Sequence, residues 1–247
     1  MKKQLNLNDI FSKTEKVEDC TKLDIKTKAA LVCFVLFLIF RHCSFDETVL
    51  KNVDMKPFSE PIQEKIENGK SFKEKTLVGD VYITPIANYK IYGRVYDRHC
   101  RPARLYWASV YPYDVSIGFG DFRHKEVYKA VKVKMAATVS YLSWSGSAWH
   151  NHLSKYFKEQ SMEHCFTNNH IRPANGNVKR GIKKLRKKDV VYMEGYLIKF
   201  EHKLDNGKSE KGISSTSRDD EFRGDNGYGN CEQFYVTRVV SRYGDFR

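Results

Sequence analysis

The stretch from His164 to His202 constrains the fold more than any other, because it changes texture twice in a short span. It opens as a polar turn, Thr167-Asn168-Asn169-His170, closed by Pro173. A helix is expected from about Asn175, whose side chain can cap exposed N–H groups. Val178, Ile182 and Leu185 recur at helical spacing and give that helix one narrow apolar face. Seven of the eleven residues from Val178 to Lys188 are Lys or Arg, so its other faces are strongly positive. From Val190 to Phe200, β-branched and aromatic residues predict a strand. Turn, basic helix and strand in that order belong to a mixed α and β domain.

Upstream, the punctuation is that of a β domain. Leu77–Ile86 and Tyr89–Arg98 both alternate, or nearly so, and further strands are expected at Arg104–Tyr113, Asp114–Phe119 and Val127–Tyr141. Ser147–Gln160 fits a short helix. A polar loop at Asp205–Gly212, a Ser-rich strand near Ile213–Ser217, a Gly/Asp-rich segment at Asp219–Gly229 and a last strand at Glu232–Val240 complete the chain. The fold class expected is α+β, mostly antiparallel β, a small barrel or curled sheet with two or three short helices, preceded by an N-terminal hydrophobic helix.

That helix is the run Ala29–Phe40, apolar throughout and flanked by Lys28 and Arg41. Its twelve residues reach about 18 Å, short of the ~30 Å hydrocarbon core, so an anchor here needs snorkelling flanks or local thinning. More Lys precedes the run than follows it, which orients the N-terminus to the cytoplasm. The domain expectation is a polar cytoplasmic tail at 1–28, a hydrophobic anchor helix at 29–45, a charged stalk at 46–75 with helical patterns at Glu47–Met55 and Pro61–Glu67, and a basic β-rich domain at 76–247. The alternative for the apolar run is a buried core helix. With the anchor reading, the protein is expected to cross a membrane once, with the β-rich domain outside the cytoplasm.

The net charge of +13 favours acidic partners. For a domain outside the cytoplasm these are anionic lipid, cell-wall polymer or an envelope protein, ahead of nucleic acid. Lys183 and Lys187 on the basic helix are candidate binding residues. No cofactor is expected. The histidines and cysteines lack structural-zinc spacing, and the acidic loop lacks the EF-hand order.

Four blocks share a further pattern. Asp114-Val115-Ser116-Ile117-Gly118-Phe119-Gly120 matches a D-L-x-x-G-W-G type turn. Asn168, His170, Ile171, Pro173 and Ala174 match an S-A-N-M-H-L-I-P-A block, with Arg172 departing from it. Asp189–Ile198 matches G-D-x-V-x-L-x-G-Y-L-V. Ser214, Ser215, Arg218, Gly227, Gly229, Cys231 and Glu232 match S-S-x-x-R-x-D-T-G-x-G-A-C-E, with extra residues that leave either Asp220 or Asp225 as the aspartate. Together the blocks resemble a family of uncharacterised bacterial proteins, often membrane-anchored. The resemblance implies a bacterial single-pass protein of the inner membrane with an extracytoplasmic domain, and brings no activity with it.

Two residues carry candidate chemistry. His170 can serve as base or ligand, or can pin a turn. Cys231 follows glycines that allow a substrate to approach, or it joins a disulfide with Cys100 or Cys165. With Arg238 or Arg242 they invite comparison with sortases, membrane-anchored transpeptidases that use His, Cys and Arg in that order. The strand motif that precedes the sortase cysteine is absent. Asn168, Arg218, Asp225 and Glu232 complete the candidate binding set. The balance of these features favours a binding or envelope-associated module, with a Cys-His hydrolase or transpeptidase, or a nucleic-acid-binding barrel, as alternatives.

Overall fold

The computed structural model describes residues 32–34, 49–101, 106–136, 139–157, 162–214 and 231–247. The chain divides into two units, Met1–Phe45 and Asp46–Arg247. Most of the expected tail and anchor lies outside the described residues. Among the described residues no helix is long and apolar enough to cross a membrane.

In the larger unit the strands are β1 (Ile62–Lys65), β2 (Phe72–Thr76), β3 (Gly79–Cys100), β4 (Tyr113–Gly118), β5 (Lys132–Ala136), β6 (Val139–Ser143), β7 (Phe166–Pro173), β8 (Val190–Leu204), β9 (Ser209–Ile213), β10 (Cys231–Ser241) and β11 (Gly244–Phe246). Short helices intervene: α1 (Tyr106–Val110), α2 (Lys125–Ala130), α3 (Gly146–Ala148) and α4 (Gly176–Lys184). The architecture is α+β, dominated by antiparallel pairing.

The strand order runs β3-β4-β7-β10-β8, and β8 pairs back onto β3, so these five strands form a ring of hydrogen-bonded neighbours. Every pairing in the ring is antiparallel except β7–β10, which is parallel. β3 makes closure feasible by its length. Its first part pairs with β8, its last part with β4, and register shifts at Pro85/Ala87 and Val95/Asp97 bend it between them. The two strands expected at Leu77–Ile86 and Tyr89–Arg98 are therefore one, and their Pro-Ile-Ala interruption is a bulge rather than a turn.

Alternation sorts the side chains. Tyr89, Ile91, Val115, Ile117, Ile171, Val191, Met193, Leu197, Phe234 and Val236 share one buried cluster, closed by Val178, Ile182 and Leu185 of α4. The helix starts where the sequence places it, with Asn175 Oδ1 accepting from the N–H groups of Asn177 and Val178 at 2.9 and 3.0 Å. The opposite face of β4, β7 and β10 carries the polar residues of interest.

Several expected elements differ, for identifiable reasons. The polar stretch Thr167–His170 is the middle of β7, not a turn. Strands on both sides satisfy its backbone, and tertiary pairing overrides the turn preference of Asn. Pro173 ends the strand. The described part of Arg104–Tyr113 is α1 followed by the start of β4; Arg172 Nη1 donates to the carbonyls of Ser109 and Val110 at the helix end. Val127–Tyr141 divides into α2 and the β5–β6 hairpin. Ser147–Gln160 gives only α3 and a π-type turn at Trp149–Leu153 in its described part. The Ser-rich strand begins earlier, as β9.

The segment 46–75 is not a stalk. Its helical patterns yield a single 3-10 turn at Val49–Asn52 and strand β1, which lies with β2 along β3. Leu50 and Met55 are buried with Tyr92, Val190, Tyr192 and Val240. Its charges alternate with residues that an edge strand buries on one side only.

Candidate active site on the outer face of the ring

Register brings six strand positions together. On β4 and β7, Asp114 lies opposite His170 and Ser116 opposite Asn168. On β7 and β10, Asn168 lies beside Cys231 and His170 beside Gln233. Residues in register on neighbouring strands project to the same face, so Asp114, Ser116, Asn168, His170, Cys231 and Gln233 form one polar block.

At its centre is the His170 ring. Nδ1 lies 2.5 Å from Asp114 Oδ1, and the Asp114 side chain is fully buried. On the other side, Cys231 lies close enough to favour the protonated ring. Burial disfavours the charged imidazole, but the hydrogen bonds and charges of Asp114 and Cys231 outweigh it and raise the His170 pKa to about 9. The ring is accordingly an imidazolium at neutral pH. Nδ1–H then donates to Asp114, leaving Nε2 as the nitrogen that exchanges protons.

Asp114 is held from behind by Arg101. Nε donates to Oδ2 at 2.6 Å and Nη2 to Oδ1 at 2.7 Å, a two-point pair with both side chains buried. Nη2 is also 3.2 Å from His170 Nδ1. Tyr111 flanks the imidazole at 6.0 Å between ring centroids, and its hydroxyl donates to Gln233 Oε1 at 2.9 Å.

Cys231 is half-buried and its thiol is free, as is that of Cys100. The disulfide reading of Cys231 is thereby corrected: it lies at the start of β10 beside Asn168 of β7. Asn168 Nδ2 points at Sγ from 3.9 Å, while its Oδ1 accepts from Ser116 Oγ at 3.4 Å. Ser116 Oγ in turn meets Ser140 Oγ of the hairpin at 2.6 Å. This chain of contacts fixes an amide N–H beside the sulfur, where charge would develop on an attacked carbonyl.

The other candidates separate from this block. Glu232 is buried on the inner face, accepting from Ser214 Oγ at 2.6 Å and Gln63 Nε2 at 3.3 Å. It fastens β1 and the end of β9 to β10 and is not beside the thiol. Lys183 is exposed on α4. Lys187 pairs with Asp97 at 3.2 Å. Arg218 and Asp225 lie outside the described residues. Arg238 and Arg242, the arginines of the sortase comparison, are engaged by Asp245 and Asp189 respectively. Arg238 lies seven positions along β10 from Cys231, about 23 Å at strand rise, so neither serves the thiol. The arginine that does reach the site is Arg101.

Reading the residues alone pairs Cys231 with His170 but misses Asp114 and Arg101. One signal was present: Asp114 interrupts Tyr-Asp-Val-Ser-Ile, an otherwise core-like strand, and a carboxylate there needs a partner. Its partner could not be named, because strand register decides it.

Compared with known protein families, curated proteins and solved structures, the chain matches none. The site therefore has to be read from its own geometry.

Proposed function

We propose that the domain is a thiol-dependent acyl hydrolase or acyltransferase using a Cys231–His170–Asp114 relay. The observation that carries this reading is the alignment of carboxylate, imidazole and free thiol on three adjacent strands. It takes up the Cys-His alternative and sets aside the binding-module expectation. An imidazolium beside a sulfur is the arrangement that supports a thiolate nucleophile. The ring of five strands is, in this reading, the small barrel expected from the sequence. The apolar run Ala29–Phe40 supports an anchored setting, with acyl groups of the cell envelope or its lipids as the accessible substrates.

The Cys231 sulfur attacks the carbonyl carbon of an ester, thioester or amide, forming an S–C bond. Asn168 Nδ2–H donates to the oxygen that gains charge. The bond to the leaving group breaks, and the proton of His170 Nε2 passes to that group. Water, or an acceptor amine or hydroxyl, then gives its proton to His170 and attacks the thioester carbon. The sulfur departs as thiolate and the acyl product leaves. Asp114 keeps the imidazole in one tautomer and orientation throughout.

The test uses the full chain with p-nitrophenyl esters of increasing acyl length, read by nitrophenolate release and by intact mass. The wild type should give a burst and an acyl adduct on the peptide containing Cys231. Cys231→Ala should abolish the adduct, and His170→Ala should lower acylation by about 100-fold or more. Turnover unchanged in Cys231→Ala would show a structural clasp instead of a site.

A further inference from the structure

We infer that Arg101 is a positioning residue that sets the pH at which the Cys231–His170 pair titrates, by dividing the charge of Asp114 between a guanidinium and the imidazole. The inference rests on the acyl-transfer reading of the site and adds a residue that reading does not require.

Arg101 has no direct contact with the sulfur, yet its placement is specific. Two nitrogens grip both Asp114 oxygens at 2.6 and 2.7 Å, which fixes the plane of the carboxylate. The Oδ1 that accepts from Nη2 is the same oxygen that faces His170 Nδ1 at 2.5 Å. One carboxylate oxygen is thus shared by two cationic donors, held 3.2 Å apart. Arg101 is itself buried, so solvent screens this three-body arrangement weakly.

A guanidinium has two opposing effects there. It keeps Asp114 aimed at the ring, which favours the imidazolium. It also places a second positive charge beside the ring and takes up part of the carboxylate's charge, which disfavours it. Asp114 is fully buried with His170 Nδ1 against one of its oxygens, so the carboxylate stays beside the ring without the guanidinium and the second effect dominates. Arg101 therefore holds the pair's basic limb lower than Asp114 alone would place it. That keeps His170 able to release its proton to a leaving group near neutral pH.

The other groups around the ring do not supply this control. His99, opposite Asp114 on β3, is exposed. Tyr111 lies beside the ring, but burial raises its hydroxyl well above the ordinary value, so it stays neutral. Arg172, two positions along β7, is committed to Glu74 at 2.6 Å and to the carbonyls of Ser109 and Val110. Cys231 belongs to the titrating pair itself.

The experiment needs no knowledge of the substrate. Full-length protein is alkylated with iodoacetamide between pH 5 and 11, and the Cys231 peptide is followed by mass spectrometry. His170 is titrated in parallel by long-range proton–nitrogen NMR. Arg101→Met should move the basic limb of both profiles upward by about one unit. Arg101→Lys keeps a charge at the same place and should leave the limb within about a third of a unit of wild type. It also serves as the reading if the methionine variant does not fold. Arg238→Met, which breaks an arginine pair on Asp245 remote from the thiol, should not move either profile.

Superposable profiles for wild type and Arg101→Met overturn the inference, as does an equal shift in Arg238→Met. A lysine variant that moves the limb by a full unit overturns it too. A wild-type Cys231 that alkylates like a free peptide thiol, with no His170-linked limb, overturns the acyl-transfer reading and this inference with it.

Discussion

His170 couples the site to stability, and the sign follows from its raised pKa. The folded value is about 9 against an ordinary value of 6.5. The folded state therefore binds the proton more tightly than the unfolded chain. That contribution is fully present below about pH 6.5 and is lost as pH rises through about 9. Its size is on the order of 3 kcal/mol for a ring this well buried. Thermal unfolding of the wild type should thus fall steeply between pH 6.5 and 9.5, and His170→Gln should flatten that slope. Equal slopes for the two proteins would contradict the pair. Asp114 offers a second reading at the same scale. Asp114→Ala leaves the buried Arg101 guanidinium unmatched, and a loss of about 3–5 kcal/mol is expected in urea unfolding.

Among the elements, the antiparallel contact of β10 with β8 is one place where side-chain size is tightly limited. Gly195 on β8 lies so close to β10 that an added Cβ would fall 2.1 Å from the Tyr235 carbonyl oxygen. Backbone cannot yield there as a flexible side chain can. Gly195→Ala should cost more than about 2 kcal/mol. Gly176, the first residue of α4, has nothing within 4 Å of such a Cβ, and Gly176→Ala should change stability by less than about 0.5 kcal/mol. Chemical unfolding of the two variants side by side checks both values. The contrast also shows where sequence is informative. α4 could be placed from its Asn175 cap and apolar spacing, because both signals are local. β7 could not, because Asn168, Asn169 and His170 prefer turns in isolation and become a strand only between two partners. The Cys231–His170 pairing was legible because the two residue types are chemically rare. The third and fourth members were not, because Asp114 joins by cross-strand register and Arg101 reaches it from just past the end of β3.

For the whole molecule, the segment 46–75 decides how much chain the domain needs. It supplies two strands along β3 and the buried Leu50 and Met55. A chain beginning at Leu77 would leave Tyr92, Tyr192 and Val240 uncovered and the outer edge of β3 unpaired. It should melt well below a chain beginning at Asp46, by more than about 10 °C in differential scanning calorimetry. A spacer would have made the two equal. The composition of 46–75 reads as a stalk because edge strands bury one side only, so half of each pattern stays charged.

β10 enters the ring between β7 and β8, and it carries the thiol at its first residue. In a chain made from its N-terminus, the other four ring strands, Asp114 and His170 all leave the ribosome before it. Until β10 is inserted the ring stays open and the relay lacks its nucleophile. On the proposed reading, synthesis times the chemistry: the last ring strand to arrive closes the ring and brings in the thiol in the same event. If Cys231 is the proposed nucleophile, a chain cut before β10 is chemically silent without any separate inhibitor.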